Sequence, residues 1–221
     1  IIWGGAQQPF AVPSPYVATG ARYNPTTDSW QPMSTVGAPS ARWLHRLGWT
    51  GTEVVVFGGV GPVPDGGEPL LGDGALYDPA TDQWRALPAA NAPAADARPE
   101  VISIGGNEVL VFSACVSSGA RLNLSTLQWS PMSMTGAPQA CGFTWTALAT
   151  AWTGRDVLVV GAGSGLSNPL VGGHRYDPAV DRWSPLPRGD PCDRIGPTAV
   201  WTGSEFITWG GGAYGSCPVP Y

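Results

Sequence analysis

The amino-acid sequence predicts an all-β chain of repeated, four-stranded sheets, and three observations carry that expectation. One short passage is written four times: ARYNPTTDSWQPM at 21–33, ALYDPATDQWRALP at 75–88, ARLNLSTLQWSPM at 120–132 and HRYDPAVDRWSPLP at 174–187. Apolar runs of four or five residues, rich in Val, recur between the copies, as in strands buried on both faces. The 31 Gly and 23 Pro among 221 residues disfavour long helices, because the two cost roughly 1 and 3 kcal/mol in a helix interior.

Within each copy the spacing is strict. Gly20, Gly74, Gly119 and Gly173 stand three before Tyr23, Tyr77, Leu122 and Tyr176, and each of those stands seven before Trp30, Trp84, Trp129 or Trp183. The Trp residues recur at intervals of 54, 45 and 54 residues, a period typical of a propeller blade or a solenoid coil. Fixed spacing inside the copy and variable spacing between copies predict a rigid hairpin joined by tolerant loops. Its turn is set by Asn24-Pro25, Asp78-Pro79 and Asp177-Pro178, where an Asx side chain precedes a ring that fixes φ; the third copy, Asn123-Leu124, lacks the proline.

A second turn follows each Trp by about twenty residues: TGTE at 50–53, GGNE at 105–108, TGRD at 153–156 and TGSE at 202–205. Each introduces one of the apolar runs, VVVFGG (54–59), VLVFSA (109–114), VLVVGAG (157–163) and FITWGGG (206–212), and the chain opens with a fifth, IIWGG (1–5). The small ends of these runs suit places where backbones crowd. Each repeat is thus expected to hold four strands: one before the TG turn, one ending in Gly-Gly, one carrying Gly-x-x-Tyr and one carrying the Trp.

A double glycine after an apolar strand, followed by a Tyr and a Trp at fixed spacing, resembles the kelch repeat family, and the resemblance covers essentially the whole chain. Departures fall in separate repeats: Ser113-Ala114 in place of Gly-Gly, Ala162 interrupting it, and Leu122 in place of Tyr. The resemblance implies a β-propeller whose blades radiate around a central channel. On this reading 1–32 and 194–212 are partial blades, and 41–88, 97–132 and 143–187 are whole ones. The 17 expected strands make about four and a half blades, which predicts a part of a larger ring, completed by further blades of its own parent chain or by another copy.

Charge narrows the partners. Sixteen acids against eleven bases give a net charge of −5 with no basic run, so the footprint of a nucleic-acid binder is missing. No apolar run approaches the roughly 20 residues that span a bilayer, and neither a span nor an intact signal peptide is expected. Cys115, Cys141, Cys192 and Cys217 form an even set without CxxC spacing, which favours disulfides in an exported protein, whether secreted, periplasmic or on the cell surface. Strand alternation pairs Cys115 with Cys141 and Cys192 with Cys217, since each pair joins a loop after a Gly-Gly strand to a loop entering an inner strand.

Most residues that suggest chemistry have a plainer role. Nine of the eleven Trp recur at repeat positions and are expected to pack; Trp43 and Trp145, near the start of inner strands, are candidate ligand contacts. The Asp pairs 78/82 and 177/181 belong to turns, and Glu53, Glu108, Asp156 and Glu205 recur at hairpin ends. Only His45 and His174 supply imidazole. Nothing matches the copper site of galactose oxidase, the iron pattern of the nitrile-specifier proteins, or the GxSxG, HExxH and phosphate-loop motifs; no catalytic residue, metal or cofactor is expected. Arg42, Arg98 and Arg194 follow a repeated Trp by 11 to 14 residues, where the chain enters an inner strand. In the kelch propellers that this chain resembles, arginines there face the central opening and read acidic partners, with bidentate carboxylate binding as the physical means; the alternative is an Arg paired with a neighbouring loop. The expected site is Arg42, Arg98 and Arg194 with His45 and Trp43 beside them. The expected function is a non-catalytic, extracellular protein- or glycan-binding scaffold. Its alternative is the propeller portion of a larger carbohydrate-active enzyme, an oxidase or epimerase, with catalytic residues outside this segment.

Overall fold

A computed structural model describes residues 1–7, 16–62, 69–139, 148–161, 173–187 and 194–213. Among the described residues there is no helix, and all the strand pairing is antiparallel. None of the described residues forms a helix long and apolar enough to cross a membrane. Clustering of contacts separates two compact units, Ile1–Val101 and Ile102–Tyr221.

The first unit opens with a three-stranded sheet of β1 (Ile2–Trp3), β2 (Gly20–Asn24) and β3 (Ser29–Pro32), followed by a four-stranded sheet of β4 (Arg46–Trp49), β5 (Val54–Phe57), β6 (Gly74–Asp78) and β7 (Gln83–Ala86). Between them lies one core of Trp3, Met33, Val54, Val56, Ala75, Tyr77 and Trp84. The unit boundary falls inside β8 (Glu100–Ser103), which shares a sheet with β9 (Glu108–Ser113), β10 (Ser118–Asn123) and β11 (Gln128–Pro131).

The second unit continues with β12 (Ala149–Trp152), β13 (Val157–Val160), β14 (His174–Asp177) and β15 (Arg182–Pro185) in one sheet, and β17 (Thr198–Trp201) with β18 (Phe206–Trp209) in a pair. Its core joins Ile102, Leu110, Phe112 and Met132 to Val157, Val159, Tyr176 and Trp183. A short pair, β16 (Arg194–Ile195) with β19 (Gly212–Ala213), was not foreseen from the sequence. The other sheets hold three, four, four, four and two strands, the series expected from the repeats.

The predicted apolar strands stop before their glycines. Gly58 and Gly59 leave β5 with φ of 72° and 96°, a backbone that side chains resist, and a Cβ on Gly59 would lie 2.6 Å from the Trp43 carbonyl. The third repeat lacks this need: β9 turns into β10 over four residues, and Ser113 Oγ accepts from the Cys115 and Val116 amides at 3.1 Å. Gly20, Gly74, Gly119 and Gly173 have a different reason, which is space. A Cβ on Gly20 would approach the Ile2 carbonyl at 2.5 Å, one on Gly173 the Val159 carbonyl at 2.9 Å, and one on Gly119 the Met134 sulfur at 2.8 Å, while Gly74 abuts the Val56 carbonyl.

Both predicted turns form as their side chains dictate. Asn24, Asp78, Asn123 and Asp177 each accept an amide two residues on, at 2.8–3.0 Å. At the TG turns Thr50, Thr153 and Thr202 accept the amides of Glu53, Asp156 and Glu205 at 2.9–3.0 Å.

Candidate functional site

The repeated hairpin is a fastening between neighbouring sheets. In the first unit the Trp84 indole N–H donates to the Ser34 carbonyl at 2.7 Å. Asp82 Oδ1 accepts both the Ser34 amide at 3.0 Å and the Tyr77 hydroxyl at 2.6 Å. The second unit repeats the set on Ser133: Trp183 at 2.8 Å, and Asp181 accepting the Ser133 amide at 2.9 Å and the Tyr176 hydroxyl at 2.6 Å. The rings of Tyr77 and Trp84 lie 4.8 Å apart, those of Tyr176 and Trp183 5.0 Å. Burial and the bond to Asp82 push the Tyr77 hydroxyl up to about 12, and the same causes raise Tyr176. Arginine adds a second link: Arg22 donates to the Pro79 carbonyl, and Arg121 to that of Pro178 at 2.8 Å. In the third repeat the Tyr and the Asp are replaced together, by Leu122 and Leu127; Leu122 is fully buried, so packing takes over from the hydroxyl bond.

Two of the acids at the hairpin ends are equally committed. Glu53 holds Arg85 at 2.8 Å and Glu108 holds Arg121 at 2.8 Å. Among the described residues no three His, Cys, Asp or Glu side chains gather as metal ligands do.

Of the expected ligand residues, Arg42, Trp43 and His45 lie on the segment that enters β4. Gly5 N–H donates to the Arg42 carbonyl at 2.8 Å, Trp43 and Val60 exchange two bonds at 3.1 and 2.9 Å, and Gly59 N–H donates to the Asp96 carbonyl at 2.9 Å. The residue in the third sheet's approach that matches Arg42 is therefore Asp96, because each receives a bond from the second glycine of a Gly-Gly pair. Arg98 is two places further on, and the three arginines do not occupy equivalent positions.

Arg42 requires a correction. It is 0% exposed, and all five of its N–H donors are taken: Nε by the Ser40 carbonyl, Nη1 by the Gly58 and Asp73 carbonyls, and Nη2 by Ser40 Oγ and Asp73 Oδ2, all within 3.1 Å. Three loops are pinned by one guanidinium, which has nothing left for a ligand. Arg98 is half-buried, its pKa lowered by burial and then by Arg46 nearby. Arg194 lies in β16, opposite Ala213.

His45 and Trp43 stand together on the segment entering β4. Burial first, then the charges of Arg42 and Arg46, lower His45 to about 4, against a bond to the Trp3 backbone that raises it. The ring is therefore neutral at neutral pH. Its Nδ1 and the Trp43 Nε1 are buried without a hydrogen-bond partner among the described residues. Trp43 stacks on Tyr16, ring centres 6.0 Å apart and planes 20° apart, and Arg46 pairs with Glu100 at 3.3 Å. One lone-pair acceptor and one N–H donor are thus left unsatisfied beside stacked aromatic rings.

Trp145, Cys141, Cys192 and Cys217 lie outside the described residues. Cys115, on the turn after β9, is not a free thiol. The expectation that the recurring Trp all pack needs correction for Trp30, Trp49 and Trp209, which are 56, 54 and 81% exposed. The sheets of Trp30 and Trp209 have a face that no described residue covers, whereas Trp49 lies on the first strand of a sheet whose β5 is buried on both faces. Trp49 lines a groove of about 390 Å³ with Ile1, Leu47, Gly48 and Val54, a feature that sequence reasoning missed because Trp49 recurs like the packed ones.

The site and the fold together define an all-β protein of stacked, repeated sheets with an aromatic and basic loop cluster at the entrance to one of them. No family model and no curated protein sequence matches the chain.

Proposed function

We propose that the chain is a kelch-type β-propeller module that acts outside the cytoplasm as a non-catalytic binding scaffold, taking a protein or glycan ligand at the loops around Trp43, His45 and Arg98. The observation that carries this reading is the gathering of unsatisfied polar atoms where the chain enters β4. Tyr77, Tyr176, Asp82, Asp181, Glu53, Glu108 and Arg42 are bonded to their own fold, whereas His45 Nδ1, Trp43 Nε1 and Arg46 Nε have no partner among the described residues, as is also true of Trp3 Nε1, Arg22 Nε and Asp156 Oδ1 on other segments. The repeat itself supports the propeller, and the bonded state of Cys115 supports an oxidising compartment. The paired cysteines Cys115–Cys141 and Cys192–Cys217 belong to the same proposal.

The test is a fluorescence titration of the full chain with a panel of neutral oligosaccharides, acidic oligosaccharides and acidic peptides. Trp43→Ala and Arg98→Ala should each weaken binding of the best ligand about tenfold or more, roughly 1.4 kcal/mol, with the melting temperature nearly unchanged. Equal binding by both variants, or no binding by any member of the panel, overturns the proposal.

A further inference from the structure

The four hairpin tips are built on one plan and differ in the residues that follow the Asx side chain. They read Asn24-Pro25-Thr26, Asp78-Pro79-Ala80, Asn123-Leu124-Ser125 and Asp177-Pro178-Ala179. Only the third joins an Asn, a residue other than proline and a hydroxyl two places on, and no other Asn in the 221 residues does so. That is the acceptor pattern for an N-linked glycan, and the context it needs is a surface turn in an exported chain. In the first repeat the Asn and the hydroxyl are both present, and Pro25 stands between them.

The structure supplies the surface turn. Asn123 is the last residue of β10, half-buried opposite Gln128, and the tip beyond it is exposed at Ser125 and Thr126. Asn123 Oδ1 accepts the Ser125 and Thr126 amides, both at 3.0 Å, while Nδ2 has no partner among the described residues. The turn before β9 steadies the tip: Asn107 Nδ2 donates to Ser125 Oγ, and the Leu124 amide, which a proline would lack, donates to the Asn107 carbonyl at 2.8 Å. A sugar joined to Nδ2 leaves both amides bonded to Oδ1, so the turn survives the modification.

We propose that Asn123 is the acceptor of an N-linked glycan, an inference that rests on the reading of the chain as exported, which the bonded state of Cys115 supports. The donor is an oligosaccharide carried on a lipid diphosphate. Asn123 Nδ2 bonds to the anomeric carbon of the first sugar, the bond from that carbon to the diphosphate oxygen breaks, and the lipid diphosphate leaves with the electron pair. Nδ2 gives up one proton, and nothing is oxidised or reduced.

Peptide mapping of the full chain, secreted from a eukaryotic cell line behind a cleavable leader, tests this before and after a glycosidase that removes N-linked glycans and leaves Asp in place of the Asn. The wild type should carry a single glycan, at Asn123. Asn123→Asp keeps the turn chemistry of Asp78 and Asp177 and should carry none, as should Ser125→Ala. Pro25→Ala completes the pattern in the first repeat and should add a glycan at Asn24, which is exposed and whose Oδ1 accepts the Thr26 amide at 2.9 Å. A wild type secreted with Cys115 bonded and Asn123 bare overturns the proposal and leaves the export reading standing, whether or not Asn24 is modified in Pro25→Ala. A chain that is retained, or secreted with Cys115 reduced, overturns both. If a variant does not fold, the wild-type map alone decides.

Discussion

His45 shows at the scale of one residue how the fold sets a proton equilibrium. An imidazole titrates near 6.5 in an unfolded chain, and burial beside Arg42 and Arg46 brings it to about 4 here. Between those values the unfolded chain binds the proton that the folded one refuses. Stability is therefore full above about pH 6.5 and falls as the pH drops towards 4, by on the order of 3 kcal/mol for this group. His174, lowered by burial at the start of β14, acts in the same direction. Urea unfolding from pH 7.5 to 4 should show the fall, and His45→Gln should flatten it; a slope unchanged in that variant would mean that His45 is open to water. The pairing of Arg42 was illegible from the sequence for a related reason. Three of its five acceptors are backbone carbonyls, and a carbonyl has no letter.

At the scale of the element, position in the stack decides what a repeated residue does. Trp84 and Trp30 occupy the same place in the hairpin, yet Trp84 is 8% exposed and bonded to Ser34 while Trp30 stands mostly in solvent. Trp84→Ala should therefore cost roughly 3–5 kcal/mol as a large-to-small core change, and Trp30→Ala less than about 1 kcal/mol in the single chain at low concentration. Chemical denaturation of the two variants checks the difference, and equal losses would refute it. The hairpin was legible because its information is local: Asn or Asp, then Pro, an Asp at positive φ, then Trp, all within ten residues. The four-strand order of each sheet followed from spacing alone. Exposure was not legible, since Trp30 and Trp209 carry the same local marks as their buried counterparts Trp84 and Trp3 and differ only in the presence of a neighbour.

At the scale of the molecule the stability is divided. The core around Trp84 lies within Ile1–Val101 and the core around Trp183 within Ile102–Tyr221. Trp84→Ala should raise amide exchange in β5 and β6 while leaving β13 and β14 nearly as protected as in the wild type. Hydrogen-exchange mass spectrometry reads this directly. Equal loss of protection across both regions would show one cooperative body instead.

The fastening on Ser34 and the fastening on Ser133 use the same atoms at the same separation, 50 residues back from each Trp. During folding, chemistry cannot tell the two serine loops apart. What favours Ser133 over Ser34 as the berth for Trp183 is the length of chain to be closed, and a loop about threefold longer costs only roughly 1 kcal/mol more. That is a narrow margin against a skipped register, in which the two repeats of Trp84 and Trp129 are left out and their apolar faces stay open to aggregation. The third repeat widens it. With Leu122 and Leu127 where the others have Tyr and Asp, it offers no identical hook between the two, so the chain has one fewer wrong way to button itself.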